Sequence, residues 1–332
     1  MKKSFRNTLL IYSIIFVFFQ ILIVGIIGGI NVNKMTKQIN EKQIENQNGE
    51  VDQINITFKS SKYELYGEIY FPKDDTKTYP CIVFCEGIPA YVSAYSWLPK
   101  VLAEEGYVVM IFDPPGLGKS EGNFPIIISI SVPAFNMFYR FGSYSEGYVH
   151  YYKHEWTQSI SDALTYMLEE SPVKHLINNS AIGAIGHSLG GIAVTEVAVE
   201  DERFDAIVAM SHGNPRIIKN VDMPIQFISG GFDLGVNSIP MTLSSYKRAS
   251  TPKELIMIQL GTHFGFTTTF NKFCPCPAWQ KEIIIKYSVG WFNYFLKNQI
   301  SAYETITTGT EHLSKFFKSK YDFGDGERTL NN

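Results

Sequence analysis

The sequence has few cysteines and no excess of positive charge. Its 332 residues include four cysteines and carry a formal net charge of −3 at pH 7. Four cysteines are too few for a disulfide framework, and neither close pair, Cys81/Cys85 or Cys274/Cys276, has the spacing of a zinc site. A chain without a basic field has no electrostatic footprint for nucleic acid. We therefore predict no metal, no cofactor and no nucleic-acid partner.

Internal repeats are also absent, and charged residues make up only 18% of the chain. Hydrophobic residues account for 45% and aromatic residues for 14%, which provides ample apolar surface for a packed core. This composition excludes disorder for most of the length. A chain of this size has room for one large domain or two small ones.

Charge is missing altogether from Leu9 to Ile30, a run of 22 residues. As a helix this run spans roughly 33 Å, about the thickness of a hydrocarbon core. A cleaved secretory signal is the alternative, but its apolar region is usually about 7–15 residues long. We predict a short basic N-terminus over 1–7 and one uncleaved transmembrane anchor over 8–30.

The residues around the predicted anchor suggest how it is oriented. Three basic residues precede it and three lysines follow it, so the positive-inside rule discriminates weakly. The absence of acidic residues before the anchor favours a cytoplasmic N-terminus, which makes this a single-pass membrane protein with an extracytoplasmic body. Residues 31–53 are rich in Asn, Gln, Lys and Glu and are predicted to form a polar stalk.

From residue 54 to residue 332 strand and helix patterns alternate. Several predicted strands are continuous apolar runs, as expected where both faces of a parallel sheet are covered. An antiparallel opening followed by strand–helix units predicts one open, mostly parallel α/β sheet with helices on both faces. The predicted strands are Ile54–Lys59, Leu65–Phe71, Cys81–Cys85, Tyr107–Phe112, Ala181–Gly186, Ala206–Met210, Ile225–Ser229 and Leu255–Gln259. The predicted helices are Ser96–Glu105, Trp156–Glu169, Ile192–Val199, Ile239–Ala249 and Trp279–Leu296.

An apolar insert over about 123–155 interrupts this alternation. It carries aromatic and aliphatic residues with scattered Gly, Ser and Pro, where a simple connection would take only a few residues. Two interpretations are compatible. The insert forms extra helices packed on the body, or it forms a lid or cap that lines the substrate site.

The pattern Gly-His-Ser-Leu-Gly at 186–190 lies between a predicted strand and a predicted helix. It is typical of the nucleophile elbow, a tight turn that raises a serine hydroxyl above the sheet edge. The turn needs glycines because bulkier residues two positions either side would collide. The amide of Leu189 would then face an oxyanion from the start of a helix. The alternative is a glycine-rich turn with an incidental serine at Ser188.

A serine nucleophile needs a base, and three histidines follow Ser188 in the chain. His263 follows a predicted strand and lies at the carboxyl edge of the sheet, so we predict it as the base. His212 is the rival, although its position is more typical of a residue that lines the pocket or caps a loop. His312 lies in the polar tail.

The acid is expected between the serine and the histidine in the chain. Asp233 comes just after a predicted strand, with Gly230 and Gly231 forming the turn. Asp205 and Asp222 precede their strands and therefore lie at the opposite sheet edge. Asp233 is the predicted acid, and a turn-capping aspartate is the alternative.

The rest of the predicted site surrounds these three residues. A second oxyanion amide is expected from the loop after the third strand, where the sequence CEGIPAY makes Ile88 the candidate. Phe264 adjoins His263, and we predict that Phe264 and His212 contact the substrate.

With these motifs the chain resembles the α/β hydrolases over about 54–300, in particular dienelactone hydrolases, polyester hydrolases, cutinase-like lipases and platelet-activating-factor acetylhydrolases. The resemblance is carried by GHSLGG, FDPPGLGKSEG, GGFD, GTHFG and VGWFNYFLKN, at 186–191, 112–122, 230–233, 261–265 and 289–298. It implies a Ser188–Asp233–His263 triad that hydrolyses esters by way of an acyl-enzyme. One departure is Glu86-Gly87, where many relatives have His-Gly. A carboxylate there would weaken oxyanion binding unless it points away or pairs with a cation.

The function predicted from these features is a membrane-anchored serine hydrolase that cleaves a small-molecule or lipid carboxylic ester. A thioesterase or a peptidase has the same constellation, because a triad reports acyl transfer and not the leaving group. A catalytically silent domain that binds a lipid or a protein is a further alternative. The sequence predicts neither the acyl chain length nor the oligomeric state.

Overall fold

A computed structural model describes residues 50–88, 90–122, 146–233, 235, 238–250, 252–269, 277–310, 312–313 and 320–322. The predicted basic N-terminus, the anchor and nearly all of the stalk lie outside these residues, as do 123–145 of the insert and the cysteines of the second pair. Within the described ranges, no helix is both long enough and apolar enough to cross a membrane.

The described residues form one sheet of nine strands. In chain order the strands are β1 Val51–Ser60, β2 Tyr63–Pro72, β3 Tyr79–Cys85, β4 Val108–Phe112, β5 Ile177–His187, β6 Ala206–Met210, β7 Ile225–Gly230, β8 Lys253–Ile258 and β9 Lys320–Asp322. Their order across the sheet is β1-β2-β4-β3-β5-β6-β7-β8-β9. Strands β3 to β8 pair in parallel, whereas β1, β2 and β9 pair antiparallel to their neighbours.

All eight predicted strands are found, which confirms a mostly parallel open sheet with an antiparallel opening. One prediction at the margins of the sheet needs correction, and one strand was missed. The stalk was predicted to extend to residue 53, but β1 begins at Val51 because 51–53 pair with 70–72 of β2. Polar composition did not reveal this pairing. The short strand β9 was not predicted, since three residues in a polar tail carry no strand pattern.

Among the residues that the structure describes, six α-helices connect and cover the strands: α1 Trp97–Glu104, α2 Glu146–Glu169, α3 Leu189–Glu200, α4 Ser238–Arg248, α5 Ala278–Phe295 and α6 Ala302–Thr307. Helix α2 begins ten residues before the predicted Trp156, so the last part of the predicted insert is helical. The stretch 146–155 contains no proline that would break the helix. Helix α6 was not predicted.

The sheet separates two hydrophobic cores, and alternate residues of β3 enter opposite cores. Cys81, Val83 and Cys85 lie in the core covered by α2 and α3. Ile82 and Phe84 lie in the core covered by α1 and α5. Because a strand is buried on both faces, its sequence is apolar throughout, as in the parallel strands at the centre of this sheet.

Parallel strands place their carboxyl ends at one edge of the sheet. Ser188 directly follows β5, and Asp233 lies three residues beyond β7. His263 follows β8 and begins a short 3-10 helix, His263–Phe266. The topology thus brings together three residues that are spread over 76 positions of the chain, in the crevice where ligands bind in open α/β sheets.

Candidate active site

Ser188 occupies a strained turn between β5 and α3. Its backbone φ and ψ are 56° and −117°, a conformation that residues other than glycine rarely adopt. A Cβ at position 186 would overlap the Gly190 carbonyl oxygen, and a Cβ at position 190 would overlap the Cys85 carbonyl oxygen. The glycines predicted from the motif are therefore required by close backbone approach. The turn leaves Ser188 half-buried, above the sheet edge.

Gly186→Ala is expected to lower the free energy of unfolding by about 1–3 kcal/mol, the usual cost of overpacking. The obstructing atoms at this site are backbone, so no side-chain rotation relieves the overlap. Urea unfolding measures the effect. Gly309→Ala is the matched control, because the nearest atom to its new Cβ is 3.9 Å away. Equal stability of the two variants would contradict the close approach at the elbow.

The three predicted triad residues form one chain of hydrogen bonds. Ser188 Oγ lies 3.1 Å from His263 Nε2, and His263 Nδ1 lies 2.9 Å from Asp233 Oδ1. His263 and Asp233 are both buried, with 8% and 4% of their surfaces exposed. The arrangement can move a proton from the serine hydroxyl to the imidazole while the carboxylate holds the ring in place.

Asp233 is held ionised. Burial alone would raise the pKa of this carboxyl, but the charge and the hydrogen bond of His263, with the charge of His212, hold the pKa well below its usual range. The backbone N–H of Gly235 also donates to Asp233 Oδ1, at 2.9 Å. Asp233 Oδ1 therefore accepts two N–H bonds, which orients the carboxylate toward the imidazole.

Gln280 of α5 hydrogen-bonds to the loop that carries His263, and its side chain is fully buried. The Thr262 N–H donates to Gln280 Oε1 at 3.2 Å, and Gln280 Nε2 donates to the Thr262 carbonyl at 3.1 Å. The Thr262 hydroxyl accepts from the Gly265 N–H and caps the short helix. These contacts hold the His263 backbone in position without touching its ring.

The two predicted oxyanion amides lie on either side of the elbow. Leu189 begins α3, and Ile88 lies in the loop after β3. This loop is tight against the serine, since a Cβ on Gly87 would lie 2.8 Å from Ser188 Cβ and 2.8 Å from the His187 carbonyl oxygen. Within the described residues neither amide donates to a protein acceptor. Their role as an oxyanion hole remains a prediction.

Glu86 has no cationic partner among the described residues and lies beside a second carboxyl group, that of Asp113. The side chain is fully buried. Burial and the adjacent Asp113 carboxyl raise the pKa of Glu86 well above its usual range. Burial raises the pKa of Asp113 as well, but Asp113 accepts N–H bonds from Val92 and Lys119, both at 2.8 Å, and such bonds favour its ionised form. The proton of the pair therefore belongs to Glu86, which brings no negative charge of its own to the oxyanion loop.

Glu86→Gln is expected to become more stabilising, relative to wild type, as the pH rises from 5 to 7. Native Glu86 keeps its proton, whereas an unfolded glutamate loses it above its ordinary pKa of about 4.3. The free energy of unfolding of the wild type therefore falls by about 1.4 kcal/mol per pH unit, for one proton, as the pH rises toward the raised native pKa of Glu86. The glutamine amide can donate to Asp113 as the protonated carboxyl does, without this dependence.

Urea unfolding at several pH values measures this difference. Glu200→Gln is the control, since Glu200 is exposed at the end of α3. The Glu200 variant should follow the wild-type pH dependence. A Glu86→Gln curve parallel to wild type between pH 5 and 7 would show that Glu86 is ionised in the native protein.

The two predicted substrate-contact residues both lie next to His263. The His212 ring is buried, and its centroid is 5.8 Å from that of His263, nearly perpendicular to it. The half-buried Phe264 ring lies 5.7 Å from the same imidazole. Ser188 Oγ is hydrogen-bonded to His263, which favours His263 over His212 as the base. Contact of His212 or Phe264 with a substrate stays a prediction.

Several residues at the site were not predicted from the sequence. His187 stacks on Phe266 with ring centroids 4.9 Å apart, and its Nδ1 lies 2.6 Å from the Tyr95 hydroxyl. Gln280 and the proton-sharing partner Asp113 also went unrecognised. The Glu86-Gly87 departure pointed to an unusual loop, but no sequence pattern identified Tyr95 or Gln280.

Comparison with known proteins agrees with the fold. A family model described as alpha/beta hydrolase fold matches residues 80–238, from the start of β3 to the start of α4. This segment includes the elbow and Asp233. The match and the sheet topology confirm the α/β-hydrolase fold, and the relatives described next confirm the resemblance to its esterase and lipase branch.

Three relatives illustrate the similarity. Lipase 1 of Moraxella sp. is 24% identical over 50% of this chain and 49% of its own length. A bis(hydroxyethyl) terephthalate hydrolase of Streptomyces coelicolor is 24% identical over 69% of this chain and 62% of its own. Cutinase 1 of Thermobifida cellulosilytica is 22% identical over 75% of this chain and 80% of its own. The chain thus spans less than two thirds of the first two relatives.

Proposed function

We propose that this chain, which has the α/β-hydrolase fold, is a serine hydrolase that cleaves carboxylic esters through an acyl-enzyme. One observation carries the proposal: the hydrogen bonds from Ser188 to His263 and from His263 to Asp233, at 3.1 and 2.9 Å. The names of the relatives, a lipase, a bis(hydroxyethyl) terephthalate hydrolase and a cutinase, support an ester as the substrate.

In the acylation step Ser188 Oγ attacks the ester carbonyl carbon while His263 Nε2 takes the hydroxyl proton. The carbonyl oxygen becomes an oxyanion, which the amides of Ile88 and Leu189 stabilise. His263 then returns the proton to the leaving alcohol as the carbon–oxygen bond breaks. The products are a free alcohol and an acyl group on Ser188.

Deacylation repeats the sequence with water. His263 takes a proton from a water molecule, whose oxygen attacks the acyl carbon, and the second tetrahedral intermediate uses the same two amides. When the Ser188 ester bond breaks, the proton returns to Oγ and the free acid leaves. Throughout, Asp233 stays ionised and stabilises the imidazolium.

A fluorophosphonate probe tests the nucleophile directly. Ser188 Oγ would displace fluoride and form a covalent bond to phosphorus, and mass spectrometry of the labelled peptide locates it. We expect labelling of the wild type and none of Ser188→Ala. His175→Ala is the matched control for substitution elsewhere, because His175 is exposed and remote from the triad in the fold. Equal labelling of Ser188→Ala and the wild type would refute the proposal.

A thioesterase or a peptidase remains the closest alternative, because the triad does not select the leaving group. Panels of p-nitrophenyl esters of increasing chain length, acyl thioesters and peptide amides separate the three activities. The proposal expects the highest kcat/KM for an oxygen ester. A catalytically silent domain would instead react with no acyl substrate and no probe while still binding a lipid or a protein.

We also propose that residues 8–30 anchor the domain as a single membrane span, with 31–50 as a polar stalk and the hydrolase outside the cytoplasm. The support is the 22-residue uncharged run that follows three basic residues. The full chain should sediment with membranes and resist extraction by carbonate, and protease added to intact cells should remove the domain. Release of the domain as a soluble protein with a new N-terminus after the run would identify a cleaved signal instead.

The insert is proposed to line the substrate site as a lid or cap. Support comes from its apolar composition and from its place after β4, at the carboxyl edge of the sheet where the triad lies. Replacement of 124–144 by a short Gly/Ser linker should change the preferred acyl chain length in the ester series. An unchanged acyl-chain preference would indicate that the insert packs on the body and does not line the substrate site.

A further inference from the structure

The hydroxyl group of Tyr95 lies between the oxyanion loop and the nucleophile elbow. The Gly87 N–H donates to this hydroxyl at 3.3 Å, and the hydroxyl oxygen lies 2.6 Å from His187 Nδ1. Gly87 precedes the proposed oxyanion residue Ile88, and His187 precedes Ser188. One buried hydroxyl group therefore contacts the two segments that must be aligned for catalysis.

The Tyr95 hydroxyl can hydrogen-bond to both segments at once. A tyrosine hydroxyl has one proton to donate and can also accept. It accepts from the Gly87 N–H, and the tautomer of His187 sets which atom donates in the bond to Nδ1. Burial, with the nearby charge of His263, lowers the pKa of His187 well below its usual range, so this imidazole is neutral and Nδ1 can accept. In either tautomer the Tyr95 hydroxyl contacts both Gly87 and His187.

Tyr95 itself is held rigidly. Its ring is 1% exposed and packs edge-on against Phe84, with centroids 5.3 Å apart. The preceding residue Ala94 accepts a hydrogen bond at 2.9 Å from the Thr268 N–H, in the segment just after the His263 helix. A hydroxyl on so fixed a ring can define the position of the Gly87 amide.

We propose that Tyr95 is a positioning residue whose hydroxyl aligns the oxyanion loop with the nucleophile elbow through Gly87 and His187. The inference rests on the proposed function, because it assigns the aligned amide of Ile88 to the oxyanion of the ester reaction. Tyr95 takes no part in bond making and transfers no proton to the substrate. Its action is to keep the Ile88 amide where the oxyanion forms.

Loss of this hydroxyl should slow the chemical step and leave substrate binding nearly intact. In Tyr95→Phe the Gly87 N–H has no acceptor, and the loop can shift away from the elbow. Displacement of catalytic groups by about 1 Å can cost 10²-fold in rate, and loss of an oxyanion donor costs roughly 10²–10³-fold. For a donor that is displaced and not removed, we expect kcat to fall roughly 10–100-fold, with KM changed by less than about twofold.

The test compares Tyr95→Phe with Tyr107→Phe. Tyr107 is also fully buried, and its hydroxyl donates to a single side chain, Asn293, at 2.7 Å, away from the triad. Both variants lose one buried tyrosine hydroxyl, so a loss of stability alone affects both. Active sites are first counted by fluorophosphonate titration, and kcat is expressed per titrated site. Tyr107→Phe should keep the wild-type kcat.

An oxyanion readout distinguishes positioning from general loosening. The Ser188 oxygen adds to the carbonyl carbon of a trifluoromethyl ketone, and the carbonyl oxygen becomes an oxyanion in the same hole. The Ki of this inhibitor should therefore rise in Tyr95→Phe by the same factor by which kcat/KM falls. Unchanged kcat and Ki in Tyr95→Phe, with a wild type that is labelled and active, would overturn the inference and leave the proposed function intact. An unlabelled, inactive wild type would overturn both.

A second variant keeps the inference testable if Tyr95→Phe does not fold. His187→Leu removes the hydrogen-bond partner of the Tyr95 hydroxyl on the elbow side, so kcat per titrated site should fall with little change in KM. The double variant Tyr95→Phe/His187→Leu should be no slower than the slower single variant, because the two groups act as one unit. A His187→Leu enzyme with wild-type kcat, or additive losses in the double variant, would overturn the inference.

Discussion

Ser188→Ala and His263→Ala should each lower kcat for a p-nitrophenyl ester by roughly 10⁶-fold, and the double variant should be no slower than either. The reason is that the hydroxyl is a poor nucleophile without the base, and the base has no proton to take without the hydroxyl. The 3.1 Å bond between Ser188 Oγ and His263 Nε2 makes the two groups one unit. Steady-state kinetics with correction for spontaneous hydrolysis measures the loss.

Two further single variants and the double variant serve as comparisons for this prediction. His175→Ala should retain wild-type kcat, because His175 is exposed on a short 3-10 helix, Lys174–Leu176, before β5. His212→Ala should lose far less activity than His263→Ala, since the imidazole bonded to Ser188 is that of His263. A larger loss in His212→Ala than in His263→Ala would move the general base to His212. Additive losses in the double variant would contradict a coupled pair.

Asp233→Ala should lower kcat by roughly 10⁴-fold, and Asp233→Asn should lower it less. Asparagine can place its amide oxygen in two ways, and only one lets His263 Nδ1 keep its proton. In this protein the Gly235 N–H points at Oδ1, the same oxygen that accepts from His263. That N–H selects the productive orientation of the asparagine amide. The Asn variant therefore loses the negative charge but keeps the imidazole tautomer, whereas the Ala variant loses both.

The order of the two losses is the informative result, measured as kcat on one ester substrate. Asp222→Asn is the matched control, because Asp222 is exposed and lies before β7, at the opposite edge of the sheet. It should leave kcat within about twofold, as expected for a surface change away from the site. If Asp233→Asn is as slow as Asp233→Ala, the Gly235 N–H does not orient the side chain.

The eight predicted strands and the elbow illustrate what short-range patterns can predict. Each central strand is covered on both faces, so its residues are apolar without alternation, and the pattern is visible within five to seven positions. The elbow needs glycines at two positions of one pentapeptide because the colliding atoms belong to neighbouring backbone. Strand order along the chain then placed Asp233 and His263 at one sheet edge.

Other features depended on residues that meet only in the folded chain. The last three residues of the predicted stalk belong to β1, because pairing with β2 extends the strand. The sequence of 51–53 alone does not indicate this pairing. Glu86 was expected to threaten the oxyanion loop unless it pointed away or met a cation. It is accommodated in a third way, as the protonated member of a buried pair with Asp113.

The chain's own sequence determined the mostly parallel sheet, the nucleophile turn and the order serine, aspartate, histidine, because each depends on local backbone geometry or on the sequence of strand ends. Only the tertiary structure decided which carboxyl group holds a proton, which oxygen of Asp233 meets the imidazole, and that Tyr95 contacts a histidine 92 residues away. Protonation and hydrogen-bond direction depend on exclusion of water and on distances between segments remote in the chain, and packing alone sets both.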